Sequence, residues 1–316
     1  MNRILVFTPA EDHRGRAVAL GAALAERTGA SLTLVRVIEE NSSWPRGAAA
    51  AQLESKLRDL MVDSETRALR KIADSLRTSS GEHLETDVEV HWGVPWEVVI
   101  DLVERDGFDL VVKPARGLSH SGRVFFGATA LHLFRRCPCP VWVVGDDGNL
   151  PQRILISIDP SLDQTRREMA SKLLVWGDVL RAASGAELEV ASAWQVQGAD
   201  ILKERLEESE FNTYVGEALE RAETGLNTIL KESASAPAVM RCHLLAGSAR
   251  DMIPEFVEDR GFDLVVVGTL GRPGIVGQLL GETAEQILRG VRCSVLTVSP
   301  KHRAPQASTH APFRKA

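Results

Sequence analysis

The feature that most constrains this chain is that it repeats itself. Segment 103–112 reads VERDGFDLVV and segment 257–266 reads VEDRGFDLVV, so Asp109 recurs as Asp263, 154 positions on. The same offset relates Gly93 to Gly247, Gly117 to Gly271, Gly127 to Gly281 and Cys139 to Cys293, while Ile4 and Leu5 match Ile154 and Leu155 at 150. Solenoid repeats run at roughly 20–50 residues, so a period this long is a duplicated domain. A chain of 316 residues suits two domains at roughly 100–200 residues each. The turn residues and charges of 145–152, GDDGNLPQ, suit a short linker. The domains expected are 1–146 and 152–300, and the aperiodic, proline-bearing stretch 301–316 reads as a disordered tail.

Within each half, short runs rich in valine, isoleucine and leucine alternate with longer stretches of helical period. That is the pattern of a parallel sheet with crossover helices, an α/β fold. Strands are predicted at 4–8, 32–38, 87–91, 110–113 and 141–144, and again at 154–158, 188–193, 239–245, 264–267 and 295–298. Leu53, Leu57, Leu60, Leu69, Ile72 and Leu76 mark a long amphipathic helix, with a counterpart over 201–230. The final strands, VWVV and SVLTV, are apolar and would leave exposed sheet edges if nothing covered them.

Composition narrows the partners. With 37 Lys and Arg against 43 Asp and Glu, the net charge is −6, which argues against a protein built to hold nucleic acid. No apolar run approaches the roughly 20 residues of a membrane span. Glu11 and Asp12 interrupt any signal-peptide core, so a cytoplasmic protein is expected. Four cysteines do not make a disulfide framework, and Cys137-Pro138-Cys139 lacks a second pair at zinc spacing, so no metal is expected.

In an open parallel sheet the ligand crevice lies beyond the carboxyl ends of the strands. In the second half the first strand runs into Asp159 and the fourth into Gly268-Thr269-Leu270-Gly271, with Gly281 at the start of a helix. Glycines there let backbone amides approach an anion, and a helix N-terminus adds unpaired N–H groups. The same glycines also serve as chain turns or close-packing points without any ligand. No P-loop, dinucleotide fingerprint or His-Glu-x-x-His helix occurs. GLSHSG at 117–122 has Ser121 where a nucleophile elbow needs glycine, and reads as a polar loop. Trp92, Trp96 and Trp142 read as core, and His120 as a loop residue.

The spacing Gly-x2-Gly-x9-Gly over 268–281 resembles the nucleotide signature of the universal stress protein family. GTLGRPGI, LLGETAEQIL and the first half's LFRRCPCPVWVV look like its tandem E-type members, and the resemblance runs to about residue 300. It implies two Rossmann-like domains, each an open five-stranded parallel sheet of order 3-2-1-4-5, whose last strands pair to make an intramolecular pseudo-dimer, with a homodimer of the chain also allowed. It implies a cytoplasmic role in surviving stress, associated in E-type members with resistance to DNA damage, and ATP or another adenine nucleotide as cofactor, with Mg where bound.

Carried over residue by residue, the motif places Asp159 at the adenosine and Gly268, Thr269, Gly271 and Gly281 around the phosphates. Glu282 departs from it: the family carries a hydroxyl there, and a carboxylate repels a triphosphate unless a metal or Thr283 compensates. An acid in the first turn of a helix also suits the dipole with no ligand at all. The first half departs further, with Thr8 and Pro9 set against Asp159 and Pro160, Pro114 for Gly268 and Ala128 for Glu282. An ATP site is therefore expected in the second half alone. Lys113, at the end of a strand, is read as a snorkelling lysine, with anion neutralisation as the alternative. The leading expectation is a non-enzymatic stress protein sensing an adenine nucleotide. The alternatives are a nucleotide-free partner- or small-ligand-binding scaffold and a slow ATPase.

Overall fold

The computed structural model describes the chain except for residues 11, 13–14, 40–47, 80–83, 119–123, 146–147, 234–239, 270–279 and 303–316. The first half runs β1 (Arg3–Phe7), α1 (Arg16–Thr28), β2 (Ser31–Ile38), α2 (Ala48–Ser79), β3 (Thr86–Trp92), α3 (Pro95–Asp106), β4 (Leu110–Pro114), β5 (Gly117–Leu118), β6 (Val124–Phe125), α4 (Gly127–Arg136) and β7 (Val141–Val144). The second half follows as β8 (Arg153–Ser157), α5 (Gln164–Ser184), β9 (Glu187–Trp194), α6 (Ala199–Arg205), α7 (Glu208–Glu232), β10 (Arg241–Ala246), α8 (Ala249–Arg260), β11 (Leu264–Gly268), α9 (Glu282–Gly290) and β12 (Ser294–Val298).

The repeated ten-residue segment has a mechanical reason. Gly107 and Gly261 cap α3 and α8 in the left-handed conformation, at φ of 68° and 65°, which glycine adopts without a Cβ penalty. The buried Phe108 and Phe262 that follow lie under the guanidinium groups of Arg3 and Arg153, 4.6 and 4.7 Å from the ring centres. Asp109 then accepts from the Arg3 amide at 3.1 Å, and Asp263 from the Arg153 amide at 2.8 Å. Each copy thus fastens the start of its half's first strand to the entry of its fourth.

Each half has the order 3-2-1-4-5, as β3-β2-β1-β4-β7 and β10-β9-β8-β11-β12, with parallel pairing throughout. The halves do not remain two open sheets. β7 and β12 pair antiparallel, with Trp142 opposite Leu296, and make one ten-stranded sheet. Trp142 is fully buried at this seam, so the two apolar edges protect each other. Helices cover both faces, and each of the two core layers draws residues from both halves. Arg135 of α4 reaches Glu285 of α9 at 3.3 Å across the seam.

Several expectations change. The helix expected over 201–230 is two helices, broken at Leu206, where α7 starts with a capping box between Glu207 and Glu210. The β5–β6 ribbon was not foreseen. The stripe of α2 reaches the core through Leu69, Ile72 and Leu76, but Leu60 is 60% exposed; Leu53's side chain and His120 lie outside the described residues. Trp92 and Trp96 are half-buried, Trp96 stacking on His132 at 4.6 Å. Packed chain continues past residue 300: His302 is buried and contacts Cys137 of the first half. The rest of the expected tail, 303–316, lies outside the described residues. No described helix is long and apolar enough to cross a membrane.

Candidate functional site

A cavity of about 580 Å³ opens where the second half's strands end. That is the size range of small-molecule sites. Ser157, Ile158 and Asp159 enter from the end of β8, Gln195 and Gln197 from beyond β9, and Val267 and Gly268 from β11. The starts of three helices complete it: Arg166 in the first turn and Met169 in the second turn of α5, Ser248 and Ala249 at α8, and Gly281, Glu282 and Thr283 at α9. A second chamber of about 700 Å³ shares Asp159, Pro160, Ala193 and Gln195 and is walled by α7.

The Asp159 corner is held by short-range polar bonds. Its carboxylate accepts from the Ser161 amide at 2.9 Å and from Arg166 Nε at 2.8 Å. Asp163, the N-cap of α5, accepts from the Arg166 amide at 3.1 Å and also pairs with the Arg166 guanidinium. The Arg166 hydrogen bond draws the Asp163 carboxyl below its usual range. Asp159 keeps 56% of its side-chain surface exposed, so it is positioned but open to a ligand. At the opposite wall, Gly281 is the N-cap of α9 and supplies no side-chain cap, so among the described residues no side chain caps the first-turn N–H groups there. Glu285, also in that turn, is tied to Arg289 at 2.8 Å and to Arg135, and the Arg289 hydrogen bond lowers its pKa.

The structure thus brings Asp159, Gly268, Gly281, Glu282 and Thr283 to one cavity. Thr269 is not among them: it is buried, and its amide and hydroxyl both donate to the Val298 carbonyl, at 2.8 and 3.4 Å. Gly271 lies outside the described residues. Gly268 has a packing duty as well, since a β-carbon there would stand 2.9 Å from Met169 Cγ. Sequence reasoning missed Arg166, Gln195, Gln197 and Ser248. All four lie at strand ends or helix starts, where the sheet rule alone would have sent the search.

The register also corrects the comparison of the halves. Ile4 pairs with Leu110 and Ile154 with Leu264, and the Thr8 and Ile158 amides donate to the equivalent carbonyls of Val35 and Ala191. The counterpart of Asp159 is therefore Pro9, one residue beyond Thr8. The first half has no carboxylate at that point. Lys113, expected to snorkel, is instead buried.

Fold and cavity together define a duplicated, doubly wound α/β protein with a ligand-sized cavity at the strand ends of its second half. The chain belongs to the universal stress protein family, whose model matches residues 1–145 and 151–299. It is 29% identical to universal stress protein E of Escherichia coli (strain K12) over 220 residues, 68% of either chain. With the universal stress protein E homolog of Haemophilus influenzae it shares 23% identity over 311 residues, 96% of this chain and 98% of that one. Among solved structures, a universal stress protein from Pseudomonas aeruginosa UCBPP-PA14 superposes with a TM-score of 0.69 at 21% identity, covering 95% of this chain and 94% of the other. One from Archaeoglobus fulgidus DSM 4304 gives 0.62 at 15% identity, covering 94% and 98%. These two likenesses concern the fold.

Proposed function

We propose that this chain is a cytoplasmic stress-response protein that works by binding rather than by catalysis, its second domain taking an adenine nucleotide such as ATP. The domains we adopt are 1–146 and 152–300. One observation carries the reading: residues far apart in sequence, Asp159 from β8 and Gly281 to Thr283 from α9, converge on a single cavity of about 580 Å³. In this reading the exposed Asp159 carboxylate accepts from a ribose hydroxyl. The uncapped start of α9 donates its N–H groups to phosphate oxygens, and Thr283 adds a hydroxyl. Magnesium, where bound, would be held by the Glu282 carboxylate and would supply positive charge that offsets the like charge of the carboxylate and the phosphates.

Glu282 at the start of α9 supports a second reading, a nucleotide-free scaffold that binds a partner or a small uncharged ligand. Calorimetry separates the readings. Wild type is expected to bind ATP or ADP, and Glu282→Ser, in magnesium-free buffer, to bind about two- to fivefold tighter, since a carboxylate removed from beside an anion at a helix start returns about 0.3–1 kcal/mol. Asp159→Ala is expected to weaken binding by about tenfold. Absence of binding in both wild type and Glu282→Ser at millimolar nucleotide would leave the scaffold reading in its place.

A further inference from the structure

Helix α2 outruns the sheet that supports it. It has 32 residues, yet the residues that reach the core, Leu69, Ile72, Ala73 and Leu76, all lie in its second half. Nearer its start the inward side is held by charge instead: Glu65 pairs with Arg36, and the Arg58 guanidinium lies 5.0 Å from the centre of the Trp92 ring. The outward side carries large apolar residues. Leu57 is 38% exposed, Met61 37% and Leu60 60%. At about 100° per residue, Leu60 lies about 180° and Leu57 about 120° round the helix from the buried Leu69. Neither can turn to the sheet without lifting Leu69 off it.

These residues follow the i, i+3, i+4 spacing that makes neighbours on one helix face, so they form a patch and not scattered exposed residues. The second half does not repeat it, since α6 and α7 expose one large apolar residue each, Ile201 and Tyr214. Two observations point to what covers the patch. The edges β7 and β12 are spent on each other, so a second copy of the chain cannot dock there. Lys56 and Asp63 are both exposed, one heptad apart on the same flank of the stripe, and neither has an ion pair among the described residues. Let two α2 helices cross antiparallel between Leu57 and Leu60. Each Leu57 then packs on Leu60 of the second copy, and each Lys56 meets Asp63 of the second copy, twice over by symmetry. Parallel pairing sets Lys56 against Met61 and Asp63 against Ala68, and matches no charge.

We propose that this chain forms a two-fold homodimer through the first half of α2, the two helices antiparallel. Leu57, Leu60 and Met61 make its apolar centre, and the Lys56–Asp63 pairs on its flank set the direction. The contact is isologous, so it consumes its own patch and closes at two copies. It uses no residue of the second-half cavity and stands apart from the nucleotide reading.

The test is sedimentation velocity on the full chain over about a hundredfold range of concentration, with circular dichroism to confirm the fold of each variant. Wild type is expected to pass from monomer to dimer as concentration rises. Leu60→Glu places a charge at the centre of the contact and should leave the monomer throughout. Lys56→Asp and Asp63→Lys each set like charges face to face and should weaken dimerisation about tenfold. The double variant Lys56→Asp/Asp63→Lys exchanges the two signs and should return it to within about twofold of wild type. A wild type that stays monomeric over the whole range, a Leu60→Glu protein that dimerises as wild type does, or a double variant no tighter than the single ones overturns the proposal.

Discussion

Gly225→Ala is expected to destabilise the protein by roughly 1–3 kcal/mol, the usual cost of forcing an extra methyl into a packed contact. Gly225 is buried on α7, and a β-carbon there would stand 1.9 Å from the Pro160 carbonyl oxygen. A backbone oxygen cannot swing aside as a side-chain tip does, so either α7 or the Asp159-Pro160 corner must move. Helix propensity alone predicts the opposite sign, a gain of about 1 kcal/mol for alanine over glycine. The helix supplies its own control: Gly216 is exposed on α7 with nothing within 4 Å of its β-position. Gly216→Ala should therefore stabilise, by up to about 1 kcal/mol. Urea unfolding of both variants decides the matter, and a Gly225→Ala protein more stable than wild type would show that the contact is not constraining. The contact also bears on the site, since α7 walls the chamber that shares Asp159 and Pro160 with the second-half cavity. Gly225→Ala should weaken nucleotide binding as well, if that cavity is where the nucleotide sits.

The fold was legible because the inner strands are short, apolar and buried, and each of the ten strands of the main sheet lies within two residues of its predicted place at either end. Periodicity failed where it had to guess what lies opposite a face. The leucines of α2 have the spacing of a buried stripe over their whole length, but only from Leu69 onward does the sheet lie beneath them. The break at Leu206 was hidden because its capping box uses Glu207 in place of a hydroxyl residue. At the site, glycine spacing pointed to the strand-end crevice where Gly268 and Gly281 line the second-half cavity, since strand ends and helix starts are fixed by topology. Spacing cannot say where a hydroxyl is spent, and Thr269 spends its own on Val298. The Thr8 misalignment arose because the offset changes from 150 to 154 between the first and fourth strands, and only hydrogen-bond register locates where. Lys113 escaped because snorkelling requires a route to water that the helices above β4 close.

His302 should make this protein acid-sensitive through a single side chain. Its Nδ1 accepts from the Ser299 amide at 2.9 Å, which leaves Nε2 protonated to donate to the Cys137 carbonyl at 3.0 Å. The ring is therefore neutral, and it joins the segment after β12 to the end of α4 in the other half. Burial pushes the imidazole down to about 4, and the charge of Lys172 acts in the same direction, while the bond to Cys137 opposes them. In the unfolded chain a histidine titrates near about 6.5. Above that pH neither state binds the proton, so His302 leaves stability independent of pH there. As pH falls from about 6.5 toward 4, the unfolded chain takes up a proton that the folded ring refuses, and stability falls by up to about 1.4 kcal/mol per pH unit, roughly 3 kcal/mol in all. His302→Gln keeps a donor but cannot titrate. Both proteins share every other acid-titrating group, so the comparison rests on the difference in slope of unfolding free energy between pH 6.5 and 4.5. Wild type should be steeper by close to one proton, and parallel slopes would mean that His302 is protonated in the fold and that the junction between the halves opens to admit it.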